Sequence, residues 1–101
     1  MPEVRQTEAY ARWFRRLRDR QARAQIDVRI RRLSLGNPGD ARPVGGGVSE
    51  LRIDYGPGYR VYFLRRGRSL IVLLGGGDKD SQDRDIRRAL QLAQGLQEDI
   101  T

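Results

Sequence analysis

The apolar residues change their period partway along the chain, and this change restricts the fold more than any other feature. Up to residue 35 they recur every three or four positions: Tyr10, Trp13, Phe14 and Leu17, then Ala22, Ile26, Ile30 and Leu33. That spacing lays them along one side of a helix. From residue 48 the step becomes two, with Leu51 and Ile53, then Tyr59, Val61 and Phe63, as in strands covered on one face. From residue 86 the helical step returns in Ile86, Ala89, Leu90, Ala93 and Leu96. Such a chain segregates helices from a contiguous sheet. The expected order is β-α-α-β-β-β-α, an α+β fold. It comprises a small, mainly antiparallel twisted sheet with a helical hairpin on one face and a C-terminal helix. At 101 residues it is one domain, residues 1–101.

Local chemistry marks the element ends. Met1–Gln6 has one interior apolar residue, Val4, and reads as a terminal or edge strand. Thr7 and Asp19 are placed to cap helices, because their side-chain oxygens can accept orphan amides of a first turn. The second helix runs to about Leu35, where Gly36 supplies a stop; its outer face carries Arg20, Arg23, Asp27, Arg31 and Arg32. Asn37–Gly47 holds two Pro and four Gly and reads as loop. Tyr55-Gly-Pro-Gly58 and Arg66-Gly67 are turn signals. Ser69 leads the unbroken apolar run Leu70–Leu74, suited to a strand covered on both faces. Gly75–Gly77 is expected to break that strand, and Asp78, Asp80 and Asp83 then favour a helix N-terminus.

The hairpin between residues 48 and 64 constrains side chains that the core does not use. Residues opposite each other in an antiparallel pair share a face, and a one-residue slip inverts both faces. Burying Leu51 and Ile53 beside Tyr59, Val61 and Phe63 requires a three- or five-residue loop. The same register puts Arg52 and Arg60 on the other face, together with Glu50 and Tyr62.

Composition removes several chemistries. The chain has no Cys and no His, which excludes disulfides, thiolate and imidazole metal sites, and catalysis through a histidine base. Leu70–Leu74 falls far short of the ~20 apolar residues of a membrane span. Met1–Gln6 has no apolar core of the signal-peptide type, so a soluble, cytoplasmic protein with no membrane partner is expected. The formal net charge is +7, and Lys79 is the sole lysine among 20 cations. Residues 1–40 carry +5, residues 41–75 carry +4 and residues 76–101 carry −2. The first two thirds therefore suit an anionic partner, nucleic acid foremost, although an arginine-rich composition and solvated helix faces would look the same.

Three constellations are candidates for chemistry. Arg52 and Arg60, with Tyr62 and Glu50, place two planar guanidiniums where a phosphodiester would fit between them; two solvated arginines, one paired with Glu50, are an equal alternative. Gly75-Gly-Gly-Asp-Lys-Asp-Ser81 brings backbone and Lys79 to a strand end, without P-loop spacing. Asp78, Asp80, Asp83 and Asp85 form an acidic cluster that a helix N-terminus explains better than a metal does.

Four segments in fixed order carry a family resemblance: Gly36-Asn-Pro-Gly-Asp40, Val44-Gly-Gly-Gly-Val-Ser-Glu-Leu-Arg-Ile53, Gly56-Pro-Gly-Tyr-Arg-Val-Tyr-Phe63 and Leu73-Leu-Gly-Gly-Gly-Asp-Lys-Asp-Ser-Gln82. The chain resembles toxins of the RelE/ParE superfamily, in the HigB-like or phage Gp49-like branch of addiction-module killer proteins, over roughly residues 8–98. The resemblance implies a small α+β toxin of a type II toxin–antitoxin module. Its partners would be a cognate antitoxin, typically a helix-turn-helix DNA-binding protein, and the ribosome with its mRNA. The implied activity is ribosome-dependent endoribonuclease cleavage that arrests translation, by attack of the substrate 2′-hydroxyl without metal or other cofactor. The family's basic catalytic positions correspond to Arg52, Arg60 and Lys79. Glu50 falls where some relatives carry an acid and others a lysine, and is the candidate base. Tyr62, Arg65 and Arg42 are candidate RNA contacts. The His or C-terminal Tyr of several relatives has no counterpart, since no Tyr follows Tyr62. The same fold also serves ParE-like inhibitors of DNA gyrase and non-catalytic nucleic-acid-binding modules.

Overall fold

The computed structural model describes residues 1–98, with side chains to residue 96. Its elements are β1 (Glu3–Gln6), α1 (Glu8–Arg16), α2 (Arg20–Ser34), β2 (Ala41–Gly45), β3 (Val48–Ile53), β4 (Tyr59–Arg66), β5 (Leu70–Gly77) and α3 (Gln82–Glu98). The fold is mixed α+β. A five-stranded sheet in the order β1-β5-β4-β3-β2 is antiparallel except where β1 runs parallel to β5.

Both helix caps form as the sequence indicates. The Thr7 hydroxyl accepts from the Tyr10 amide at 3.2 Å, and Asp19 Oδ1 accepts from the Gln21 and Ala22 amides at 2.9 and 3.2 Å. Thr7 also donates to the Leu73 and Leu74 carbonyls, which seats the start of α1 on β5. Leu35 caps α2, and Gly36 follows with φ +93°, a left-handed conformation that glycine adopts without strain.

The two sheet faces carry separate cores. Tyr10 and Ile26 from the helical hairpin, with Leu33, cover Leu51, Ile53, Val61, Phe63, Ile71 and Leu73. On the other face, Ala89 and Ala93 of α3 cover Val48, Tyr62, Leu64 and Leu74. Each of the larger aliphatic or aromatic side chains buried in this way contributes about 1.5–3 kcal/mol. β3 and β4 pair in the expected register, Leu51 with Val61 and Ile53 with Tyr59, across a five-residue loop.

Two segments depart from the sequence reading. Ala41–Gly45, expected as loop, is the edge strand β2. An edge strand tolerates Pro43, which has no amide hydrogen to donate, and Gly45, Gly46 and Gly47 all take positive φ to turn into β3. Gly75–Gly77, expected to break β5, continues it. Opposite Tyr62 and Phe63 the register shifts, so that Tyr62 pairs with Gly75 and Phe63 with Leu73. Leu74 is the extra residue of this bulge, and both leucines stay buried, on opposite faces. Gly76 and Gly77 are needed because neighbouring side chains occupy the space beside them, whereas Gly75 has open space. A methyl at Gly76 would overlap the Trp13 ring, and one at Gly77 would overlap the Asp85 carboxylate.

Candidate active site

The alternation of β3 and β4 turns Glu50, Arg52, Arg60 and Tyr62 to the α3 face. Cross-strand pairing sets Glu50 opposite Tyr62 and Arg52 opposite Arg60. α3 begins at Gln82, next to Glu50. The helix therefore covers the Glu50–Tyr62 pair and leaves the arginine pair beyond its N-terminus.

Glu50 is fully buried. Its Oε1 accepts from Arg42 Nε at 3.2 Å, and its Oε2 accepts from Gln82 Nε2 at 2.7 Å and from Tyr62 Oη at 3.3 Å. Three donors offset the desolvation that a buried carboxylate otherwise suffers. Tyr62 is itself fully buried, and its pKa is driven up, first by desolvation and then by the Glu50 charge. Asp85 pushes it in the same direction and Arg60 in the opposite one, so these two charges flank the hydroxyl. Tyr62 offers no ring face to a base, contrary to its place among the candidate RNA contacts.

The two arginines differ. Arg52 donates from Nε at 3.0 Å and Nη2 at 2.7 Å to Asp40 Oδ1, which raises its pKa further. Arg29 of α2 holds this corner from behind, donating to the carbonyls of Arg52 at 2.6 Å, Pro38 at 3.1 Å and Asp40 at 3.3 Å. Arg60 lies between Arg52 on β3 and Gly77 on β5. Its Nε is buried and has no hydrogen-bond partner among the described residues. Buried donors in folded proteins are nearly always paired, and Arg66 Nη2 is the other unpartnered buried donor among the described residues.

Lys79 is exposed, two residues past Gly77. A methyl at Gly58 would sit 3.5 Å from its Cβ, so the Tyr55–Gly58 turn and the Asp78–Ser81 loop meet at this end of the sheet. Asp78 shapes that loop by accepting from the Asp80 and Ser81 amides at 2.9 and 3.1 Å, and the Ser81 hydroxyl donates to Asp85. Among the described residues, no group of three acidic, Cys or His side chains is placed to hold a metal ion.

The structure thus gathers Glu50, Tyr62 and Arg42 in one hydrogen-bonded set, sets Arg52 against Arg60, and brings Lys79 to the same end of the sheet. Arg65 does not join them. It shares the helical-hairpin face with Phe63 and donates to the Leu33 carbonyl at 3.4 Å, and with Arg42 it lines a separate cavity of about 250 Å³ at the β2 edge. Asp40, Gln82 and Arg29 are parts of the site that the sequence reading did not single out, and Asp85 was read only as helix-start charge. The available signals were that Asp40 and Gln82 each close a segment of the family resemblance.

Two comparisons bear on identity. The family model described as phage derived protein Gp49-like (DUF891) matches residues 12–97. An uncharacterized protein of Haemophilus influenzae is 46% identical over 94 residues, which is 93% of this chain and 95% of that protein.

Proposed function

The chain belongs to the phage-derived Gp49-like family, generally associated with toxin–antitoxin modules, and on that premise we propose that it is the toxin of such a module, an endoribonuclease that cleaves mRNA on the ribosome. The observation that carries the proposal is the cross-strand pairing of Arg52 with Arg60, which sets two guanidiniums side by side on one face of the sheet. A phosphodiester oxygen docked against the half-buried Arg60 side chain receives a charge-assisted hydrogen bond.

In this mechanism the substrate's own 2′-hydroxyl attacks the adjacent phosphorus. The P–O5′ bond breaks, leaving a 2′,3′-cyclic phosphate on one fragment and a 5′-hydroxyl on the other. Arg60 stabilises the charge that builds on the non-bridging oxygens. Arg52, held by Asp40, supplies the second positive edge of the cradle. Lys79 gives a proton to the departing 5′-oxygen. The enclosed Glu50 serves as a positioning residue that fixes Tyr62, Gln82 and the start of α3, while the 2′-hydroxyl proton passes to water. Use of a nucleophile that belongs to the substrate fits an RNA target, since DNA has no 2′-hydroxyl.

The test is cleavage of mRNA on programmed ribosomes by wild-type protein and by Arg60→Ala, with 5′ ends mapped. Loss of one such charge is expected to lower the rate by about 10²–10³ and to relieve growth arrest on expression. A fully toxic Arg60→Ala variant removes the proposed site. Growth arrest with intact mRNA and impaired DNA supercoiling would assign the chain to the gyrase-directed class instead.

A further inference from the structure

The turn between β3 and β4 is held by more than its own backbone. Locally, the Tyr55 amide donates to the Ile53 carbonyl at 2.9 Å and the Gly58 amide to the Tyr55 carbonyl at 3.2 Å. Gly56 and Gly58 take φ of +57° and +81°, so the chain reverses without strain. The Tyr55 side chain, half-buried and packed against the helical-hairpin core, reaches out of the turn to the α1–α2 junction. Its Oη donates to Asp19 Oδ2 at 2.8 Å, while Asp19 Oδ1 accepts from the Gln21 and Ala22 amides. One carboxylate thus starts α2 with one oxygen and holds the β3–β4 turn with the other. This bond is the first cause of the lowered Asp19 pKa and of the raised Tyr55 pKa. The same turn also meets Lys79, since a methyl on Gly58 would stand 3.5 Å from the Lys79 Cβ.

We propose that Tyr55 is a positioning residue for Lys79: anchored on Asp19, it holds the Tyr55–Gly58 turn against the Lys79 stem and fixes where the ammonium group points. The role given to that ammonium rests on the proposed nuclease activity. Lys79 gets little direction from its own loop. Asp78 accepts from the Asp80 and Ser81 amides and so shapes the backbone around Lys79. The exposed Lys79 side chain itself has no ion-pair partner among the described residues, and a flexible four-carbon stem of this kind samples many orientations. Gly58 stands beside the first carbon of the stem, where restricting one torsion moves the ammonium farthest. The turn can serve as that stop because both of its ends are tied to the helical hairpin. Tyr55 bonds Asp19 at the start of α2, and the ring of Tyr59, the first residue of β4, meets Trp13 of α1 edge-on with centroids 6.3 Å apart. A general acid must lie within hydrogen-bond reach of the oxygen it protonates, and a displacement of about 1 Å costs up to about 10²-fold in rate.

Two variants of the intact chain test this. Tyr55→Phe keeps the ring and removes only the hydroxyl; Asp19→Ser keeps a helix cap but loses the second oxygen. Both are assayed on programmed ribosomes with mRNA carrying either the normal 5′-oxygen or a sulfur in its place at the scissile bond. Sulfur departs as a thiolate and needs no proton, so its cleavage bypasses Lys79. Each variant should lower kcat on the oxygen substrate by about 10- to 100-fold with KM unchanged, and should cleave the sulfur substrate at the wild-type rate. The double variant should be no slower than either single one, because both remove the same bond. Equal slowing of the two substrates means a general loosening of the fold and overturns the proposal, as does wild-type cleavage of the oxygen substrate. A variant that unfolds is recognised by its circular dichroism, and the other then decides. A second readout is independent of cleavage. Lys79 is the sole lysine, so reductive methylation with isotope-labelled formaldehyde marks one side-chain amine besides the N-terminal amine. The Lys79 methyl resonance should shift in both variants, and an unchanged resonance in either overturns the proposal. If the wild-type protein cleaves neither substrate, the nuclease activity is refuted, and this resonance alone decides whether Tyr55 positions Lys79.

Discussion

Replacing Glu50 tests whether the carboxylate under α3 is a structural hub. Glu50→Ala strands the Tyr62 hydroxyl, which is fully buried, and the half-buried Gln82 amide. Arg42, about half exposed, turns to water at little cost. Each buried donor left without an acceptor costs about 1–3 kcal/mol, and removal of one member of a buried charged network costs about 3–5 kcal/mol in total. That is a large share of the 5–15 kcal/mol by which domains of this kind are stable. Urea unfolding at neutral pH, read by the fluorescence of Trp13 between Tyr10 and Tyr59, measures it. In a Tyr62→Phe background the loss should shrink, since one stranded donor is already gone. A Glu50→Ala protein within about 0.5 kcal/mol of wild type would refute the reasoning, because it would mean that the carboxylate is solvated. Glu50→Gln separates the two roles open to this residue: full stability with no cleavage would make Glu50 the base after all.

Other perturbations follow from the same geometry. Gly76→Ala forces a methyl into the Trp13 ring and should destabilise by about 1–3 kcal/mol, seen as a lower urea midpoint. Arg29→Ala removes three bonds to carbonyls that hold Asp40 and Arg52; a loss of about 1.5–3 kcal/mol and weaker RNA cleavage are expected together, and full activity would show that Arg52 needs no such support. Thr7→Ala deletes the α1 cap and should cost about 1 kcal/mol in the same unfolding measurement. Tyr10 and Tyr62 both have pKa values raised mainly by desolvation. Their neutral forms therefore contribute stability that is complete below the unfolded value of about 10 and is lost as pH climbs through the raised folded values. Alkaline unfolding curves should show this decline, with a smaller slope in Tyr62→Phe.

Much of this molecule is decided by local pattern. The helical stripes, the Thr7 and Asp19 caps, the five-residue loop and the Arg52–Arg60 pairing all follow from neighbours within a few residues, or from the rule that a strand has two faces. Alternation alone also implied that Arg65 and Arg60 lie on opposite faces, a consequence that charge and order in the sequence obscured. What tertiary structure decided is contact between distant segments. Gly75–Gly77 reads as a strand breaker until Trp13 and Asp85 are seen to fill the space beside Gly76 and Gly77. Arg52 reads as a free cation until Asp40, twelve residues away, is brought beside it by Arg29. Glu50 reads as a reactive acid until α3 closes over it, because whether a carboxylate is solvated depends on what packs above it, and no local pattern encodes that.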